Sequence, residues 1–218
     1  EHVKFDQDTL KELLILAASM GHLEMVKQFC ERFIVPLESR TIVQAFAKAA
    51  DNCHLKVIEY FCQTHPKVLG DGTLTKTIRM AVQRERLGMI AFLGNLPKNK
   101  KISVTIESAL VQEVVHDRFS LVQQLCHLQT NTPSQSTIEI AFAKAIKYDH
   151  FQIAQFFCEL PQEIAPSQKA FDAVFDDCIT NGSLAKINFL CRLKTHSPSS
   201  SFIKKALLLQ DKLSPLSS

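Results

Sequence analysis

Large apolar residues return along this chain at a regular step. Leu10, Ile42, Leu74, Ile106, Ile138 and Phe171 form one row, and Leu14, Phe46, Ile78, Leu110, Phe142 and Phe175 form a second row four places on. Ala18, Ala50, Val82, Val114, Ile146 and Ile179 follow after four more. A spacing of four marks one face of a helix, so the rows predict an amphipathic helix of about fourteen residues in each copy. The position before the third row is mostly alanine (Ala17, Ala49, Ala81, Ala145), which lets neighbouring helices approach closely. A second, shorter helix of about nine residues is predicted after a marker position held by His22, His54, Arg86, Arg118, His150 and Ser183. Its apolar face is read as Leu23, Leu55, Leu87, Phe119, Phe151 and Leu184, then Val26, Ile58, Ile90, Val122, Ala154 and Ile187, then Cys30, Cys62, Cys126, Cys158 and Cys191.

Within each row the steps are multiples of 32 residues, with one residue more at the last copy. Thr9, Thr41, Thr73, Thr105 and Thr137 keep the same step, and Asp8, Ser39, Asp71, Ser103 and Ser136 just before them are expected to cap the first helices. Pro36, Pro66, Pro97, Pro133, Pro161, Pro166 and Pro198 punctuate the connectors beyond the second helices. Self-similarity at such a period predicts an all-α stack of six helix-loop-helix repeats, about 7–38, 39–70, 71–102, 103–134, 135–166 and 167–199, in a single repeat domain over 1–218. Ser199, Ser200 and Ser201 followed by Phe202, Ile203, Ala206, Leu207 and Leu209 predict a capping half-repeat over 200–214, with a loose tail at 214–218. At the other end Leu13 to Leu16 is too apolar for a solvated cap and is expected to pack under residues 1–7 or a further domain.

The stretches Ala17-Ala18-Ser19-Met20-Gly21-His22-Leu23-Glu24-Met25-Val26-Lys27-Gln28-Phe29 and Ala49-Ala50-Asp51-Asn52-Cys53-His54-Leu55-Lys56-Val57-Ile58-Glu59 resemble the ankyrin repeat, whose core reads A-A-x-x-G-H-x-x-I-V-x-x-L-L. Residues 145–157 and 178–190 match it more loosely. The family's T-P-L-H opening is absent, the recurring Thr lying three residues further upstream, and its glycine-rich hairpin is replaced by loops such as Leu96-Pro97-Lys98-Asn99-Lys100-Lys101. The resemblance implies an ankyrin-like α-solenoid with β-hairpins reduced or absent. In texture the degenerate repeats are similar to those of ankyrin-type effectors of intracellular bacteria. In that family partners lie against the concave face, where the two positions before Gly-His are prominent. Carried onto this chain they include Asp51, Asn52, Gln83, Arg84, His116, Lys147, Tyr148 and Asn181, which vary from repeat to repeat while the core rows do not.

Composition narrows the function. Hydrophobic residues make up 46% and charged residues 22%, and no apolar run approaches the roughly 18 to 20 residues of a membrane helix. Five of the seven cysteines share one offset, so neighbours would sit a helix spacing apart, beyond disulfide reach. Free thiols point to a reducing compartment, cytoplasmic, or the host cytosol for a secreted effector. The six glycines are scattered, which rules out a phosphate-cradling loop. His22, His54 and His150 come one per repeat, too far apart for a metal site, and the adjacent Cys53 and His54 point in different directions on a helix. Asp172, Asp176 and Asp177 read as a solvated helix face. No catalytic, cofactor or metal residue is expected.

The net charge of +3 conceals a basic third repeat. Lys76, Arg79, Arg84, Arg86, Lys98, Lys100 and Lys101 against Asp71 and Glu85 give residues 71–102 a charge of +5. It has no aromatic platform for stacking bases. The expected function is a non-enzymatic, monomeric protein-interaction module, its partner a host protein if the chain is a bacterial effector. The alternatives are a substrate-targeting region of a larger enzyme, or binding of anionic lipid or nucleic acid through the basic third repeat.

Overall fold

The computed structural model describes residues 6–32, 38–193, 198–200, 202–205 and 207, and among these it is all-helical, with no strand. Twelve bounded helices follow one another: α1 (Gln7–Ser19), α2 (Leu23–Arg32), α3 (Ser39–Asp51), α4 (Leu55–Thr64), α5 (Asp71–Gln83), α6 (Leu87–Gly94), α7 (Lys100–Val115), α8 (Phe119–Cys126), α9 (Gln135–Lys147), α10 (Phe151–Cys158), α11 (Gln168–Thr180) and α12 (Leu184–Arg192). The chain divides into two compact units, Glu1–Ile106 with Leu128–Asn131, and Glu107–His127 with Thr132–Ser218. In the first, α1, α3 and α5 pack side by side, as do α2, α4 and α6. In the second, α9 packs on α11 and α8 on α10. Pro36, residues 1–5 and most of the expected closing segment, including Ser201, Ala206, Leu209 and the tail, lie outside the described residues.

Every member of the second apolar row, from Leu14 to Phe175, is fully buried, and so is nearly all of the third. The alanine position is buried throughout, but in the fourth copy it holds Glu113, whose carboxylate meets the Arg118 guanidinium at 3.2 Å. The second helices differ from expectation. The row beginning at Leu23 is not core: Leu87 and Leu184 are each 40% exposed, and Val57, Met89, Leu121 and Ile153 are buried instead. Cys191 is exposed, and the buried residue there is its neighbour Leu190. In repeat three the cysteine position holds Gly94, where a Cβ would lie 2.7 Å from the methyls of Leu128, so only glycine fits without displacing them.

The caps also move. Asp6 rather than Asp8 caps α1, accepting from the Thr9 amide at 2.7 Å, and Ser39 and Asp71 are already in the first turns of their helices. α7 begins earlier than Ser103 because the Asn99 side chain accepts from the amides of Lys101 and Ile102. Ser134, not Ser136, precedes α9, and Ser167 caps α11 through the Ala170 amide. A cap sits outside the helix it serves, so a period measured on first-turn residues places it one to four positions late.

One turn joins the helices of each pair. The residue before each marker takes the left-handed conformation: Gly21, Cys53, Glu85, Asp117, Asp149 and Gly182 all have φ between 55° and 76°. In the first pair the Gly21 amide donates to Ala18 O at 3.2 Å and the His22 amide to Ala17 O at 3.0 Å, a Schellman closure repeated at all six turns. The amide two residues beyond the left-handed residue then donates back to its carbonyl, as from Leu55 to Cys53 at 3.0 Å, across a marker residue held at φ −81° and ψ 76° in His54. Four of the six left-handed positions carry a side chain, which strains the backbone there. Cys53→Gly is therefore expected to raise stability by about 1 kcal/mol, read as a higher urea midpoint. An unchanged or lower midpoint would mean that the packing of the Cys53 side chain outweighs the strain.

Candidate functional site

The helix before each turn ends in carbonyls that no intrahelical amide reaches, at the negative end of the helix dipole. Donors from the following repeat meet them. In the first unit Asn52 Nδ2 donates to Ser19 O at 2.7 Å and the His54 ring nitrogen Nε2 lies 2.9 Å from the same oxygen. Arg84 Nη1 donates to Asp51 O at 3.2 Å and reaches the Asp51 carboxylate at 3.4 Å. In the second unit His150 Nε2 lies 3.3 Å from Val115 O, and Lys186 Nζ donates to Lys147 O at 2.8 Å. His54 and His150 thus meet helix-end carbonyls, and among the described residues no cluster of His, Cys, Asp or Glu is arranged to hold a metal. Asp51, Asn52 and Arg84, expected as partner contacts, remain exposed but also tie repeat to repeat. The sequence carried a signal for this: a donor-bearing residue lies 33 to 39 positions after the ends of α1, α3, α7 and α9.

Gln83 closes α5 and is exposed, and His116 is exposed in the turn after α7. In the second unit the expected residues converge on a concavity. A groove of about 820 Å³ runs between α9 and α11 and up to the start of α12. Ile140, Lys144 and Lys147 form one wall at the i, i+4, i+7 spacing of a helix stripe, and Val174, Asp177 and Asn181 form the other. Lys186 closes the end, its ammonium 3.5 Å from the Asp149 carboxylate. Tyr148, 43% exposed, follows Lys147, with its ring stacked at 6.2 Å on His150 and the Lys147 ammonium 5.8 Å from its centroid. Of the residues expected from the sequence, Lys147 and Asn181 line this groove and Tyr148 adjoins Lys147, while Ile140, Lys144 and Lys186, outside the turn positions, line it from the helix flanks.

The cations of repeat three do not form one site. Lys101 pairs with Asp71 at 3.4 Å, which puts Lys98, Lys100 and Lys101 near the start of α5. Arg84 and Arg86 lie past its other end, about 20 Å away by the rise of a thirteen-residue helix, with Lys76 and Arg79 on the helix between. All are exposed. Of the three aspartates, Asp176 pairs with Lys205 at 3.0 Å and Asp172 accepts from Gln168 and the Ser199 amide, while Asp177 faces the groove.

All seven cysteines are free. Burial pushes the Cys62, Cys126 and Cys158 thiols up to about 12 and Cys178 up to about 11, so at neutral pH they stay protonated and are poor nucleophiles. Comparison with protein-family models, with curated proteins and with solved structures returns no match. Among the described residues no helix is long and apolar enough to cross a membrane.

Proposed function

We propose that this chain is a non-enzymatic protein-interaction module built as an ankyrin-like stack of helix pairs, holding a partner against the exposed ends and flanks of its first helices. The observation that carries this reading is a coincidence in the second unit: Lys147 and Asn181, singled out because they vary on a constant repeat, line a groove of about 820 Å³ there, with Tyr148 beside them. A repeated backbone supports it. The cap residues Asn52, Arg84, Tyr148 and Asn181 share φ between −85° and −97°, so different side chains are displayed from one conformation. Helices tied at both ends bind with little ordering cost. Free, protonated thiols agree with a reducing compartment.

Affinity capture from a eukaryotic lysate, with quantitative mass spectrometry, is the test. A specific partner is expected with the parent chain and with Gln152→Ala on the exposed side of α10, and is expected to be lost with Lys147→Ala, Tyr148→Ala and Asn181→Ala combined. A partner retained by the triple variant would place binding elsewhere, and the absence of any specific partner would remove the support for a docking module.

A further inference from the structure

We propose that the groove between α9 and α11 receives an acidic segment of a partner protein, with an apolar side chain seated over Ile140, Ala143 and Val174 and its carboxylates reaching Lys144 and Lys147. This rests on the interaction-module reading and specifies its ligand.

Three features of the groove select that chemistry. The first is an isoleucine that the fold does not use. Ile140 is 54% exposed, and the same register in the other repeats holds Glu12, Gln44, Lys76, Ser108 and Ala173. A β-branched apolar side chain left on a helix flank gains nothing in water but offers a seat for a partner's apolar residue. With Ala143 and Val174 beside it, that seat has small neighbours and is open from above.

The second is the charge on the walls. Lys144, Lys147 and Lys186 face a single carboxylate, Asp177. Lys186 is committed, bonded to Lys147 O and paired with Asp149. Among the described residues neither half-buried Lys144 nor exposed Lys147 has an ion pair, and the Lys147 ammonium lies 5.8 Å from the Tyr148 ring centroid. The unmatched charge is therefore positive, and it is carried by two long side chains one helical turn apart. Carboxylates on either side of a partner's apolar anchor complement that arrangement, whereas a basic segment would be repelled.

The third is size. A volume of about 820 Å³ holds several side chains of a peptide and is far larger than a single ion needs.

Selection of random peptides of about twelve residues, displayed on phage, against the full chain tests the proposal. The expected consensus has Asp or Glu on both sides of an aliphatic or aromatic residue. Synthetic copies of it are expected to bind less tightly as salt rises, and to lose roughly tenfold or more in affinity on combining Lys144→Glu with Lys147→Glu. Combined Lys144→Gln and Lys147→Gln, with a melting temperature matching the parent's, is expected to weaken binding in the same direction and separates lost charge from lost folding. A neutral or basic consensus would overturn the acidic ligand. Acidic peptides that bind both variants as tightly as the parent would overturn the groove while leaving the interaction reading intact. No enrichment of any consensus would count against both.

Discussion

Asn131→Ala is expected to destabilise the first unit by about 3 to 5 kcal/mol, an effect out of proportion to one loop residue. Asn131 is only 1% exposed, and its amide uses its full bonding capacity. Nδ2 donates to Gly94 O at 2.8 Å and to Leu96 O at 2.9 Å. Oδ1 accepts from the Asn99 amide at 3.1 Å and from Ser103 Oγ at 3.0 Å. Asn99 in turn caps α7 and donates to Asp71 Oδ1 at 2.7 Å, so one buried side chain closes α6, shapes the 95–99 connector and holds the start of α7. Truncation leaves two carbonyls and an amide without these partners in a largely buried site, and each buried unmet group costs about 1 to 3 kcal/mol. Urea denaturation followed by circular dichroism measures the loss. A loss below about 1 kcal/mol would mean that water replaces the amide at little cost.

Phe142→Ala is expected to cost a similar amount, about 3 to 5 kcal/mol, by a different mechanism. The Phe142 ring is fully buried in the second unit and stacks on Phe171 with centroids 5.9 Å apart and planes 20° from parallel. Removing it loses the transfer energy of the ring and leaves a void that packed helices fill only in part. Tyr148→Ala, six residues on, is the control. Its ring is 43% exposed and touches mainly His150, so its stability change should stay within about 0.5 kcal/mol. Equal losses for the two would show that the distinction between core and surface along α9 is wrong.

These contrasts indicate what the sequence could convey. The rows through Leu14 and Val26 were legible because a packing problem that recurs every 32 residues selects similar side chains each time. The same logic failed on the second helices, where Leu87 and Leu184 lie at the helix start and stay in water, while Val57, Met89, Leu121 and Ile153 two places on turn inward. Over eight to ten residues, two adjacent helix faces look alike in a hydrophobic pattern. Asn131 gave no signal at all, because its role depends on carbonyls at Gly94 and Leu96 that only the folded connector brings within reach. At the site, variation at the turns pointed to Lys147, Tyr148 and Asn181. Ile140 and Lys144 became visible only when the flank of α9 was seen to lie open against α11.

The donors that meet the last carbonyls of α1, α3, α7 and α9 all come from the repeat that follows. At these helix ends the bonding has a direction: the carbonyl of one repeat is completed by its successor. Shortening a unit from its C-terminal side strips an oxygen of its partner, as loss of Lys186 would do to Lys147 O. At the same junctions, shortening from the N-terminal side releases donors such as Asn52 and His54 to water, which accepts them readily. New repeats added at the N-terminal side find their completing donors already in place, whereas repeats added at the other side must bring their own.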